Sequence, residues 1–204
     1  MNSSCVLFDF DGVIIDSRPS MEKAWDAVRD ELKLEIEFKY YLEHVGKPFP
    51  VILTNLGIPV TYHKKAQLIY GVVAAKEIGL IKTYKGMHSV LRKLRSSGKA
   101  LGIVTSKEYW RADYIIDILN IHVDVLITPE FTREGKPSGL PLFAALDKLA
   151  ISASDAIYVG DMESDCQSAM NASMRYIHAD WGYGKKPVKA LSVSCPAEIL
   201  DVLG

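Results

Sequence analysis

Two aspartates stand two residues apart where the first apolar run of the chain ends, in Phe8-Asp9-Phe10-Asp11-Gly12-Val13-Ile14-Ile15-Asp16. Side chains alternate along an extended chain, so Asp9 and Asp11 point to one side. Their repulsion has to be offset by a cation, a shared proton or a ligand. Capping of an Asp11-Gly12 turn is the plainer use for the same residues. Two more aspartates, Asp161 and Asp165, follow the run Ala156-Val159, in Gly160-Asp161-Met162-Glu163-Ser164-Asp165. Four such hard oxygen donors suit Mg²⁺. The run Leu101-Val104 ends in Thr105-Ser106-Lys107, which offers two hydroxyls and backbone N–H groups beside a helix start. Phosphate oxygens are commonly held in this way, and helices are commonly capped by the same residue types. Lys136 stands before Pro137 in an otherwise polar loop, either as a cation for that phosphate or as a solvated surface residue.

The elements that must position these residues are legible as alternating runs. Short apolar stretches at Cys5-Phe8, Ala100-Val104, Val123-Ile127, Ala156-Val159 and Arg175-Ile177 read as buried strands. Helical patterns around Tyr109-Leu119 and Pro141-Leu149 lie between them. This βαβ alternation predicts an α/β fold, a doubly wound parallel sheet with helices on its faces. Ligands in such folds bind outside the carboxyl ends of the strands, where the four polar motifs fall. The stretch from Ser17 to Lys82 breaks the alternation. Met21, Trp25, Val28 and Leu32 recur at helical spacing, Val51-Leu56 stops at Gly57, and a long pattern from Thr61 through Ala66, Ile69 and Val73 stops at Gly79. It reads as an inserted all-helical domain whose Trp, Tyr and Met residues form its own core.

Composition narrows the function classes. Of 204 residues 49% are hydrophobic and 24% charged, the profile of an ordinary globule. Lys+Arg at 24 against Asp+Glu at 25 leave a net charge of -1, which lacks the basic excess that nucleic acid or an anionic membrane surface selects. No apolar run reaches the roughly 18 residues of a membrane span, and the N-terminus has no leader-like cationic flank, so a cytoplasmic location is expected. Cys5, Cys166 and Cys195 are too scattered for a metal pair or a disulfide framework and read as small buried hydrophobes.

Taken in order, the motifs resemble those of the haloacid dehalogenase superfamily of phosphohydrolases. The match is Asp9-x-Asp11-Gly12 with Asp16-Ser17, an apolar run ending in Thr105, then Lys136-Pro137, then Gly160-Asp161-x-x-x-Asp165, over nearly the whole chain. The helical insertion resembles the small cap of the phosphoglycolate-phosphatase-like branch, and Ala179-Asp180-Trp181-Gly182-Tyr183-Gly184 is similar to that branch as well. The resemblance implies a catalytic core of residues 1–16 and 83–204 and a cap of residues 17–82. It also implies a Mg²⁺-dependent phosphatase that hydrolyses a small phosphorylated metabolite, phosphoglycolate-like or a sugar phosphate monoester, through an aspartyl-phosphate.

Carried over residue by residue, Asp9 is the nucleophile and Asp11 the acid and base. Asp9, the carbonyl of Asp11, and Asp161 hold the metal, and Asp165 stands behind them to orient Lys136 or a water on the metal. Thr105 and Lys136 hold the phosphoryl oxygens, with Ser106 beside them by adjacency. In the cap, Gly46-Lys47-Pro48 is similar to the substrate loop, which makes Lys47 the candidate for the substrate's retained end. A sugar-phosphate mutase of the same cap class is the closest alternative, but Met21 and Phe49 stand where that branch typically has a hinge histidine and a distal arginine. A non-catalytic relative that binds a phosphorylated ligand is the other. Either a monomer or a homodimer is compatible with the sequence.

Overall fold

The computed structural model describes residues 3–203. The chain forms two compact units, one of Met1–Ile15 with Thr83–Gly204 and one of Asp16–Lys82. Strand β1 (Cys5–Phe8) is buried along its whole length, as its unbroken apolar sequence requires of a strand covered on both faces. A tight turn follows, in which the N–H groups of Ile14 and Ile15 both donate to Phe10 O at 3.0 Å. It leads into β2 (Ile15–Asp16).

The helical unit holds α1 (Arg18–Leu32), α2 (Phe38–Leu42), α3 (Phe49–Asn55) and α4 (Val60–Lys76). Helix α1 buries Met21, Ala24, Trp25 and Val28, one stripe at helical spacing, and α4 answers with Ala66, Tyr70 and Ala74. The two pack together, and Ser20 Oγ donates to Ala74 O at 3.3 Å. Aromatic rings fill the rest of this core. Trp25 stacks on Tyr41 with centroids 4.8 Å apart, and Phe49 meets Tyr70 at 4.8 Å. Phe49, noted in the sequence for the arginine it replaces, is therefore a packing residue of the unit.

The chain returns through β3 (Lys82–Thr83), which pairs with β2, and continues as α5 (Met87–Ser96), β4 (Ala100–Val104), α6 (Tyr109–Ile118), β5 (Val125–Ile127) and α7 (Leu140–Leu149). It ends with β6 (Ala156–Gly160), α8 (Glu163–Asn171), β7 (Arg175–Ala179), β8 (Leu191–Val193) and α9 (Glu198–Leu203). Among the described residues the sheet has six strands in the order β5-β4-β1-β6-β7-β8, parallel in every pair. Helix α7 packs on β4 and β5 and α8 on β6 and β7, and Leu7, Val104, Ile127, Leu142, Ala145 and Tyr158 share one core cluster.

Several boundaries differ from the sequence reading. Strand β5 starts at Val125, not Val123, because Asp124 Oδ2 accepts the Leu101 N–H at 2.8 Å and so caps the ladder there. Strand β7 runs past Ile177, since His178, polar in sequence, is buried and paired with Gly160. The sequence reading contains neither the edge strand β8 nor the amphipathic α5; β8 is three residues long with only Val193 buried, too short to carry a pattern. Of the cysteines only Cys5 is buried; Cys166 is partly exposed and Cys195 exposed. No helix among the described residues is long and apolar enough to cross a membrane.

Candidate active site

Strand order brings the acidic motifs together. Because β1 lies between β4 and β6, the residues that follow these three strands meet at one edge of the sheet. Asp9 continues the β1 ladder, its N–H donating to Val159 O at 2.8 Å, and its side chain is only 8% exposed. Lys136 Nζ reaches Asp9 Oδ1 at 2.8 Å and Asp165 Oδ1 at 2.6 Å, itself 3% exposed. Burial pushes the Asp9 carboxyl up to about 7 against the pull of Lys136. Burial by itself would lower the Lys136 ammonium; Asp165 and Asp9 override it and hold the lysine above its ordinary range.

Asp165 is fully engaged. Its Oδ1 accepts from Lys136 and, at 3.1 Å, from the Tyr158 hydroxyl, and its Oδ2 accepts the N–H groups of Asp161 at 3.1 Å and Met162 at 3.0 Å. It thus braces the start of α8 and the lysine together. Asp161 is fully buried; its Oδ2 accepts the Tyr183 N–H at 2.6 Å, and its Oδ1 has no hydrogen-bond partner among the described residues. Burial, then Asp165 and Asp9, hold its carboxyl well above the usual range.

Asp9, Asp161 and Asp165 offer oxygens within 4.8 Å of one another. Ionised together, the three carboxylates would outnumber the single ammonium of Lys136 by two charges, and without a further cation burial drives Asp9 and Asp161 toward their protonated forms. A divalent cation fits both that deficit and the partnerless Asp161 Oδ1. Glycines line the same carboxylate: a Cβ at Gly12 or Gly182 would collide with it, and Gly12 adopts φ +85°, a conformation that L side chains rarely take.

Asp11 turns to a different cation. Lys107 Nζ stands 3.1 Å from Asp11 Oδ1, the two side chains 8% and 13% exposed. The repulsion read from the sequence is thus met by two lysines, one for each aspartate. Burial lowers the Lys107 ammonium, with Asp11 opposing. The Lys107 N–H donates to Thr105 Oγ1 at 3.1 Å, and Thr105 is held by its own N–H to Ile127 O at 3.0 Å. Thr105 is buried and Ser106 half-buried beside it. Lys47 belongs to the other unit, exposed on the turn that Gly46, at φ +93°, makes before α3.

Three residues of this site had no role assigned from sequence. Lys107 was visible only as the neighbour of Thr105-Ser106. Tyr158 carried a signal, a hydroxyl in an otherwise apolar strand that must find a partner once buried. Tyr183 acts through its backbone N–H, which no side-chain pattern reveals.

The chain was also compared with known proteins. The sequence profile of the haloacid dehalogenase-like hydrolases matches residues 6–179. A phosphoglycolate phosphatase of Xanthomonas campestris pv. campestris (strain 8004) is 31% identical over 184 residues, covering 87% of this chain and 83% of the relative. One of Aquifex aeolicus (strain VF5) is 25% identical over 206 residues, covering 97% and 95%. A haloacid dehalogenase-like family hydrolase from Streptococcus pneumoniae superposes with a TM-score of 0.88 over 99% of each chain at 22% identity, a likeness of fold.

Proposed function

The chain belongs to the haloacid dehalogenase-like hydrolases, and from that premise we propose that it is a Mg²⁺-dependent phosphatase acting on a small phosphorylated metabolite, a phosphoglycolate-like or sugar phosphate monoester. The observation that carries the reading is the pairing of Asp9 with Lys136 beside Asp161, whose Oδ1 has no hydrogen-bond partner among the described residues, in a buried cluster of three carboxylates that could all ionise only around a cation. Asp9 and Asp161, with the main-chain carbonyl of Asp11, hold the metal. Mg²⁺ supplies positive charge against the phosphoryl oxygens and keeps Asp9 ionised.

An Asp9 carboxylate oxygen attacks phosphorus, the ester P–O bond breaks, and Asp11 gives its proton to the leaving oxygen. Lys136 and Thr105, with Ser106 adjacent, hold the transferring oxygens, the place where preorganised charge lowers a barrier most. Asp11, now a base, takes a proton from water, which attacks the aspartyl-phosphate and frees inorganic phosphate and Asp9. Asp165 keeps Lys136 aimed throughout, since both its oxygens are already bonded. The family resemblance assigns the helical unit the part of a cap and makes its Lys47 the candidate for the substrate's retained end.

The test is phosphate release from a panel of phosphorylated metabolites, with and without EDTA, for the native protein and Asp9→Asn. Release that needs Mg²⁺, is lost in the variant and passes through a hydroxylamine-sensitive acyl phosphate is expected. Release indifferent to EDTA, or undiminished in Asp9→Asn, overturns the reading.

A further inference from the structure

The two aspartates at the end of β1 are divided between cations from two different loops. Lys136, from the loop before α7, takes Asp9 at 2.8 Å, and Lys107, from the turn after β4, takes Asp11 at 3.1 Å. The division matters because the two carboxylates need different work from the same small space. Were Asp11 also to turn onto Lys136, it would compete with Asp9 for the ammonium and would not face a leaving group. Lys107 can prevent this because it has little freedom of its own. Its side chain is 8% exposed, and its N–H is tied to Thr105 Oγ1 at 3.1 Å. One turn therefore fixes the hydroxyl assigned to the phosphoryl oxygens and the ammonium that reaches Asp11.

We propose that Lys107 is the positioning residue of Asp11, holding its side chain on the β4 side of the site, away from Asp9, so that the protonated acid, when it forms, faces the leaving oxygen. The inference rests on the phosphatase reading above and adds a residue to it. Lys107 touches neither the phosphoryl group nor the metal in this scheme; it acts through Asp11.

The consequence is a leaving-group signature. The ratio kcat/KM covers steps only through P–O cleavage, so it reports the acid role free of the later hydrolysis. Lys107→Met keeps the stem and removes the ammonium. It should lower kcat/KM about 10²-fold for an alkyl phosphate, whose alkoxide needs a proton, and only about 3-fold for p-nitrophenyl phosphate, whose phenolate leaves without one. Lys107→Arg, which keeps the charge, should recover most of the loss. In an Asp11→Asn background Lys107→Met should cost almost nothing more, because its effect runs through the missing acid.

Equal losses for both esters, or a Lys107→Met cost undiminished in Asp11→Asn, overturn the proposal, since a merely structural lysine predicts both. Asp11→Asn by itself reports on the underlying reading. If it shows no leaving-group dependence, Asp11 is not the acid and reading and proposal fall together. If it does and Lys107→Met does not, the proposal alone falls. Thermal melting of each variant, and the arginine variant where the methionine fails to fold, separates unfolding from misplacement.

Discussion

The backbone N–H of Tyr183 donates to Asp161 Oδ2 at 2.6 Å, while Oδ1 of the same buried carboxylate has no hydrogen-bond partner among the described residues. One oxygen is fixed by main chain and the other is presented to the pocket, the arrangement of a preoriented ligand. Asp161→Asn keeps the size and an oxygen for Tyr183 but loses the charge. The Mg²⁺ concentration for half-saturation should rise at least ~10-fold. Trp181, two residues from Tyr183, allows the titration to be followed by intrinsic fluorescence without any substrate. An unchanged titration removes Asp161 from the metal.

Gly12 and Gly182 approach Asp161 from two sides, and only Gly12 has a positive φ, +85°. Gly12→Ala should therefore destabilise by about 1–2 kcal/mol from the left-handed backbone alone, in addition to displacing the carboxylate. Gly182→Ala should weaken Mg²⁺ binding through its clash alone, since a Cβ there would collide with the Asp161 Cβ. A Gly12→Ala variant that melts with the native protein would show that the backbone at Gly12 relaxes.

The Tyr158 hydroxyl lies 3.1 Å from Asp165 Oδ1, 3.2 Å from Val104 O and 3.3 Å from Lys136 Nζ. Tyr158→Phe removes one neutral hydrogen-bonding group and leaves the ion pairs standing, so it should cost about 0.5–1.5 kcal/mol in denaturant unfolding. Lys136→Met strips the cation from two buried carboxylates and should cost about 3–5 kcal/mol in the metal-free protein. If the phenylalanine variant proves the worse of the two, the network is held by the phenol and not by the lysine.

Burial pushes the Cys5 thiol up to about 12 from an ordinary value of 9.0. A thiol whose folded value is raised binds its proton more tightly in the native state, so its contribution to stability is whole below pH 9 and is lost as pH climbs from 9 toward 12. Cys5→Ala should flatten the decline in stability over that window. With Ellman's reagent at pH 8, exposed Cys195 should react first, partly exposed Cys166 more slowly, and Cys5 only on unfolding.

What the sequence made legible follows from where its signals are local. Apolar runs and their polar ends place Asp9, Thr105, Asp161 and Asp165 on the sheet edge, because a run of buried residues must be a strand and a doubly wound sheet has one functional edge. The helical unit is legible for the same reason, through the stripe Met21, Trp25 and Val28. The pairing of Lys107 with Asp11 is not, because nothing local distinguishes a lysine that reaches across a turn from one that reaches into water. Nor is the hold of Tyr183 on Asp161, made by an N–H that every residue but proline carries. The late start of β5 rests on the Asp124 side chain bonding to β4, a contact that needs the neighbouring strand in place.

Strand β1 sits in the middle of the sheet with both partners far downstream, Ala100 and Ala156 standing opposite Cys5. On the ribosome, Asp9 emerges early, yet it can have neither Asp161 nor its burial until β6 is made, about 150 residues later. At ~5–20 residues per second that delay is about 8–30 s. Through it the apolar stretch Cys5-Phe8 has no strand to join on its β6 side, so its backbone and apolar side chains stay unpaired on that edge. The wait also delays the acidic cluster: until the residues that follow β6 are in place, no nascent chain brings Asp9, Asp161 and Asp165 together.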